Sequence, residues 1–379
     1  MFNLANFDII LAPIMELYEA FANEVLLDIV RRLKKVGKLT SMAAWQAQRL
    51  VESGKTYEEI LEKLSKLTSL SEKELGKMFK EAGIRSIAFD NKILIDAGLL
   101  PVNMNLSPAM LRLLEVGLQK TSGTLRNLTS TTAVTGEQAF IEALDLAYMH
   151  VASGTMSYGQ AIKMAVKKIA NRGIEVLNYP SGRKDKIDVA VRRAVLTGVS
   201  QTAGEITWQN ILDNDIDLIE TSAHIGARNK GDVPENHEKW QGRIFTRKAN
   251  PKYPDFLTTT GYGTVTGLCG INCRHSFYPY FEGSPRNYNE ETLKEYREKT
   301  VTYNGKTMSF YEATQVQRKL ERAIRAKKRE VNALEVLGED NSIEVREVKD
   351  LQRQMREFIR QTGLQRQYER ESVTPFAEK

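Results

Sequence analysis

The stretch from His224 to about Tyr288 constrains this chain more than any other. It holds glycines 226, 231, 242, 261, 263, 267, 270 and 283 and prolines 234, 251, 254, 279 and 285. Glycine weakens a helix interior, and proline removes a donor and clashes with the preceding turn, so no long helix can run here. Tyr253, Phe256, Tyr262, Phe277, Tyr278, Tyr280 and Phe281 supply core material instead. Just before this stretch, residues 216–223, Ile-Asp-Leu-Ile-Glu-Thr-Ser-Ala, alternate weakly like a half-buried strand. These features predict a compact α+β unit held together by loops.

Helical texture surrounds it. Ile10, Ile14, Tyr18, Phe21, Val25, Ile29 and Leu33 recur at steps of three or four and mark one apolar helical face. Thr56 with Glu59, Ser71 with Glu74, Thr135 with Gln138, and Ser157 with Gln160 have capping-box spacing and are read as helix starts. Ser107-Pro108 is another start, and Gly54, Gly83, Gly98 and Gly173 are read as stops. Helix resumes near Glu290 and dominates from Ser309, with Leu320, Ile324, Val331, Leu334 and Leu337 on one narrow stripe and Leu351, Met355, Phe358 and Ile359 on a second. The expected fold class is α+β, predominantly helical, with a helical domain over 1–204, the compact core over 205–288, and a helical, charged C-terminal arm over 289–379.

Composition narrows the function classes. Hydrophobic residues make up 41% and charged residues 27%, which is globular and argues against disorder. No apolar run approaches the roughly 20 residues that cross a bilayer, so no membrane partner is expected. The N-terminal MFNLANFDIILAPIMELYEAF has neither the basic start nor the small-residue cleavage site of a secretory signal. Two cysteines exclude a disulfide scaffold and fit a reducing compartment. A net charge of +6 is too mild for a dedicated nucleic-acid binder. The most basic window, 318–329, sets Arg318, Lys319, Arg322, Arg325, Lys327, Lys328 and Arg329 against one acid, Glu321. It is read first as a solvated helix face, with Arg322, Arg325, Lys327 and Lys328 as the alternative contacts to packaged double-stranded DNA.

His224, His237, Cys269, Cys273 and His275 gather in the compact region, while His150 lies apart on a helix. Zinc takes about four thiolate or imidazole ligands, usually in short local pairs. Cys269 and Cys273 are spaced more loosely than in most zinc knuckles, and no second cysteine pair exists. The simpler reading is two buried free thiols and hydrogen-bonded imidazoles, with no cofactor. The alternative is a zinc held by His237, Cys269, Cys273 and His275. A third reading makes Cys273 a nucleophile, its thiolate favoured by Arg274 and His275, yet no orienting third group can be assigned. No GxSxG, P-loop, HExxH or GxGxxG sequence is present. Gly261-Tyr262-Gly263 lacks the lysine of a phosphate loop and is read as a turn beneath Tyr262. His237-Glu238-Lys239-Trp240-Gln241-Gly242 is read as a loop anchored on the core.

Three segments together carry a resemblance: GDVPENHEKWQGRIF, TTTGYGTVTGLCGINCRHSFYPYFEG and YEATQVQRKLERAIRAKK. They look like the phage minor capsid protein 2 family of tailed phages and prophages, mainly of Gram-positive bacteria. The resemblance covers most of residues 1–330, and no recognised motif follows about residue 335. Matching positions are His237, Trp240, Gln241, Gly242, Tyr262, Gly263, Gly267, Asn272, Cys273, Arg274 and His275. The resemblance implies signature residues without catalytic duty, and no small-molecule substrate. It implies a virion component in few copies, assembled in host cytoplasm, acting in head assembly near the portal and meeting portal and other capsid proteins. It is similar in role to head-morphogenesis proteins of the Mu F type, which have been linked to DNA ejection. Some relatives carry C-terminal toxin or ADP-ribosyltransferase domains, for which the residues after this core leave no room. The competing expectations are a cysteine- or metal-dependent enzyme centred on Cys273 and His275, and a DNA-binding ejection factor using the 318–329 helix.

Overall fold

The structure, a computed structural model, describes residues 4–36, 42–178 and 182–373. In chain order its elements are α1 (Leu4–Lys35), α2 (Met42–Asp96), α3 (Pro108–Ala152), α4 (Tyr158–Arg172), β1 (Glu175–Asn178), β2 (Arg183–Lys186), α5 (Ile187–Asp213), β3 (Leu218–Thr221) and α6 (His237–Trp240). There follow β4 (Ile244–Thr246), α7 (Phe256–Thr260), β5 (Phe277–Pro279), α8 (Glu290–Glu298), β6 (Thr300–Tyr303), β7 (Lys306–Ser309), α9 (Phe310–Leu337) and α10 (Ser342–Thr362). Long helices dominate and the sheets are small and antiparallel, as the α+β, predominantly helical reading requires.

Described residues group into two compact units, one from 4–12, 73–123 and 192–315, the other from 13–72, 124–191 and 316–373. This grouping does not follow the linear segments 1–204, 205–288 and 289–379. Segment 205–288 falls wholly inside the first unit, whereas residues after 315 are built into the second.

The first unit is organised by a three-stranded sheet of order β4-β3-β5. Ile219 pairs with Phe245 on one side and with Pro279 on the other. All four residues of β3 are buried, so the weak alternation of 216–223 marks a strand covered on both faces rather than a half-buried one. Its core joins Ile211, Ile216 and Ile219 to Trp240, Phe245, Phe256, Leu268 and Phe277. Full burial of each such side chain contributes about 1.5–3 kcal/mol before conformational entropy is charged against it. Trp208 of α5 stacks on Phe256 with ring centres 5.5 Å apart. A β6–β7 hairpin interrupts the helical texture expected after Glu290. Its Asn304-Gly305 turn has positive φ at both residues, which the type I′ turn of a two-residue hairpin demands.

In the second unit, Ile14, Tyr18, Phe21, Val25, Ile29 and Leu33 are all buried, so the apolar stripe of α1 is its core face. Ile10 is part of α1, but its side chain lies outside the described residues. Leu320, Ile324 and Leu334 of α9 and Met355 and Phe358 of α10 are likewise buried. Charge pairs join these helices to the rest of the unit, among them Lys167 with the buried Glu344 at 2.6 Å.

Of the four capping boxes, Ser157–Gln160 is one, at the start of α4. Thr56 and Ser71 fall inside α2 and Thr135 inside α3, where each hydroxyl donates to the preceding turn, as Thr56 Oγ1 does to the Glu52 carbonyl at 2.8 Å. Gly54 and Gly83 are also interior to α2, whereas Gly98 follows its end, Gly173 caps α4, and α3 begins at Pro108.

Candidate functional site

The signature residues meet within the first unit, where α6 and the loop between α7 and β5 face each other. Helix α6 is a single turn whose entry is tied by the Asn236 amide donating to the Gly231 carbonyl at 3.1 Å. It buries His237 and Trp240, and the Trp240 indole N–H donates to the Pro234 carbonyl at 2.9 Å. Gln241 follows, also buried. Antiparallel pairing delivers His275: Ser222 N–H donates to the Ser276 carbonyl at 2.8 Å and Ser276 N–H to Ser222 Oγ at 2.8 Å.

Gly261 caps α7 in the left-handed region, and Tyr262 packs among Trp208, Phe256 and Phe277, so Gly-Tyr-Gly is a turn under an anchored aromatic. Gly267 is fixed by proximity, since a Cβ there would sit 2.2 Å from the Gly261 carbonyl oxygen. Arg228 clamps the loop by donating to the carbonyls of Thr266 at 3.3 Å and Ile271 at 3.1 Å. Gly263 and Asn272 are exposed and Arg274 is half-buried, unlike the buried His237, Cys273 and His275.

At the centre, His275 stacks on His224 with ring centres 4.4 Å apart and meets the Trp240 ring edge-on at 4.9 Å. His275 Nε2 lies 3.1 Å from Gln241 Oε1, and the His224 backbone N–H donates to that same oxygen at 3.0 Å. A backbone N–H can only donate, which identifies this atom as the amide oxygen and makes His275 Nε2 the protonated nitrogen. His237 Nε2 lies 2.8 Å from the Thr266 carbonyl and is protonated by the same reasoning. Cys273 and His275 share the buried side of the chain while Arg274 does not, as adjacent positions on an extended segment predict.

Electrostatics runs against the nucleophile reading. Burial pushes the Cys273 thiol up to about 11 despite backbone N–H groups and Arg228 drawing it down, so it is protonated at neutral pH. Burial raises the Cys269 thiol as well. Burial also lowers His224 and His237 to about 4 and holds His275 well below its ordinary value, so all three rings are neutral. Ring nitrogens of His237 and His275 and the sulfur of Cys273 lie within 4.8 Å of one another. Cys269 is not part of that cluster. Its sulfur lies toward α5, 3.1 Å from where a Cβ on Gly204 would stand. His150 belongs to the second unit and lies 3.0 Å from Thr155 Oγ1 through Nδ1.

The basic window is largely consumed inside the second unit. Arg325 pairs with Glu19 at 2.9 Å and Asp188 at 2.6 Å, and Lys327 with Glu330 and Glu347 at 2.8 Å each. Lys328 donates to the Glu371 carbonyl at 2.8 Å, and Arg329 to the Ala170 carbonyl at 2.9 Å. Arg322 is exposed.

Sequence reasoning passed over two features. Asp90, in α2, is buried with one carboxylate oxygen unpartnered and lines a cavity of about 30 Å³ with Ser86, Ser200 and Thr207. In the connection between α2 and α3, Leu99, Leu100, Val102 and Met104 are exposed. An Asx-rich anchor was the signal for the second: Asn91 Nδ2 donates to the Asn103 carbonyl at 2.8 Å, Val102 N–H to Asn214 Oδ1 at 3.0 Å, and Asn103 Nδ2 to Asp213 Oδ2 at 2.8 Å.

Comparison with known proteins agrees with the family resemblance. A family model described as phage minor capsid protein 2 matches residues 4–360. The chain is 26% identical over 352 residues to a protein named structural protein of Lactococcus phage LL-H, covering 89% of this chain and 90% of that one. It is 37% identical over 128 residues to a structural protein of Lactococcus phage mv4, covering 33% of this chain and 94% of that one. No solved structure matches. With a family model matching nearly its whole length, the chain belongs to the phage minor capsid protein 2 family.

Proposed function

We propose that this protein is a non-catalytic part of a tailed-phage head, built in during assembly in the host cytoplasm beside the portal. The α2–α3 connection is the face that meets its neighbour. One observation carries this reading: Leu100, Val102 and Met104 are 89%, 66% and 59% exposed on a loop whose backbone is pinned by Asn91 and Asn214 and whose Asn103 side chain is held by Asp213. Exposed apolar side chains gathered on one segment mark an interaction surface, and a loop already held in shape loses little entropy on docking. Family membership and the names of the two phage relatives support the virion setting.

The non-catalytic part of the reading rests on burial. Every imidazole and thiol of the signature cluster is uncharged and enclosed, the opposite of an activated nucleophile or a poised base. Contact of Arg325, Lys327 or Lys328 with packaged DNA would break pairs made inside the second unit, so protein docking is the favoured reading. The test is a photo-crosslinker, benzoylphenylalanine, placed at Leu100 in an assembling phage. Crosslinks to the portal protein support the proposal. Crosslinks confined to proteins outside the head, or none from a protein that enters the particle, refute it.

A further inference from the structure

We propose that His237, Cys273 and His275 bind a zinc ion that fastens α6 to the loop preceding β5. His237 comes from α6 and Cys273 and His275 from one stretch before β5; all three are about 2% exposed and bring their ligand atoms within 4.8 Å of one another. Zinc–sulfur and zinc–nitrogen bonds near 2.3 and 2.0 Å at tetrahedral angles set sulfur and nitrogen about 3.5 Å apart. Cys273 Sγ and His275 Nδ1 already stand 3.7 Å apart, and a closure of about 1 Å by His237 completes a three-ligand set.

The surroundings suit a metal better than a simple hydrogen bond. Each imidazole has its Nε2 proton held by an oxygen, Gln241 Oε1 for His275 and the Thr266 carbonyl for His237. Metal-bound histidines are oriented in this way, with the far nitrogen donating to an oxygen and the near one keeping its lone pair. That leaves Nδ1 of both rings able to donate electrons. The chain also wraps the sulfur: His275 N–H donates to Cys273 Sγ at 3.4 Å, and Cys269 and Asn272 take positive φ in the turn that brings Cys273 round. Backbone N–H groups aimed at a sulfur stabilise a thiolate, the form a metal binds. A thiolate with two imidazoles is a donor set for zinc, with the fourth position left to a small ligand. On binding, the Cys273 thiol gives its proton to solvent and the sulfur lone pair forms the bond to zinc; no oxidation occurs.

The experiment uses the full-length, reduced, chelator-treated protein with Co²⁺ as probe and Zn²⁺ as competitor. The expected result is one Co²⁺ per chain, with sulfur-to-cobalt charge-transfer absorption and ligand-field bands of tetrahedral strength, displaced by an equivalent of Zn²⁺. Cys273→Ser should abolish the charge-transfer band, while Cys269→Ser, outside the cluster, should keep it. If Cys273→Ser does not fold, the wild-type and Cys269→Ser titrations decide alone. Folded wild-type protein that takes up neither ion at micromolar concentration overturns the proposal, as does a charge-transfer band lost with Cys269.

Discussion

Gln241 holds His275 by its amide oxygen, 3.1 Å from Nε2, while the same oxygen receives the His224 backbone N–H. One side chain thereby joins the end of α6, the segment after β3 and the residue entering β5. Replacing it with leucine keeps the volume and strands two buried donors. Loss of a partner costs about 1–3 kcal/mol per group, so Gln241→Leu should destabilise the first unit by about 2–4 kcal/mol. Denaturant unfolding followed by the fluorescence of Trp208 and Trp240 measures this, and a change below about 0.5 kcal/mol would remove Gln241 from the brace.

Gly267 and Gly263 separate close approach from backbone conformation. A Cβ at Gly267 would meet the Gly261 carbonyl oxygen at 2.2 Å, whereas at Gly263 nothing lies within 4 Å and the obstacle is a φ of +88°. Gly267→Ala is expected to cost about 3 kcal/mol or more, Gly263→Ala about 1 kcal/mol. Thermal melts of the two variants rank them, and equal losses would contradict the packing of this loop.

Arg325 is expected to act on stability. It is largely covered by its pairs with Glu19 and Asp188, and removing one partner of a buried pair leaves the others uncompensated. Arg325→Ala should destabilise the second unit by about 3–5 kcal/mol. Arg322→Ala, at an exposed position, should change stability by no more than about 0.5 kcal/mol. Similar effects of the two on folding would sink this division of the helix.

Asp90 gives a pH signature. Burial raises its carboxyl to about 8, against an ordinary value near 3.8 in the unfolded chain. The folded state therefore holds a proton that the unfolded state has released between those values. The stability this carboxyl contributes is complete below about pH 4 and is lost as pH rises through 8. Asp90→Asn mimics the protonated form. It should match the parent near pH 4 and exceed it at pH 8 by several kcal/mol, because each tenfold difference in proton affinity between the folded and unfolded chain is worth about 1.4 kcal/mol. The neutral imidazoles of this unit act in the opposite sense in acid, so the comparison is between variant and parent at each pH. A pH-independent difference would contradict a buried, protonated Asp90.

Much of this was legible in the sequence, and the exceptions have physical causes. The α1 stripe could be read because burial on one face imposes a helical period. The false starts at Thr56, Ser71 and Thr135 arise because the spacing that caps a helix also lets a hydroxyl bond back within one. The β6–β7 hairpin was signalled by Asn304-Gly305 but lost among helix-forming neighbours. Clustering of histidine and cysteine pointed to the site, yet the partners that orient His237 and His275 are a glutamine oxygen and a backbone carbonyl, which leave no pattern in a sequence. Asp90 was invisible for a related reason: an acid in a helix reads as surface until the fold covers it.

As proposed, the chain enters the phage head by docking the apolar loop at Leu100 and Val102 on a neighbour. Its most direct test is the quantity of the protein in purified virions, by mass spectrometry against the major capsid protein, for the parent and for Leu100→Asp/Val102→Asp. The expected result is a minor component in parent particles and its loss from particles of the variant, with the variant still folded in the cell extract. A folded variant that enters virions at the parental level, or a parent protein absent from virions, would contradict it.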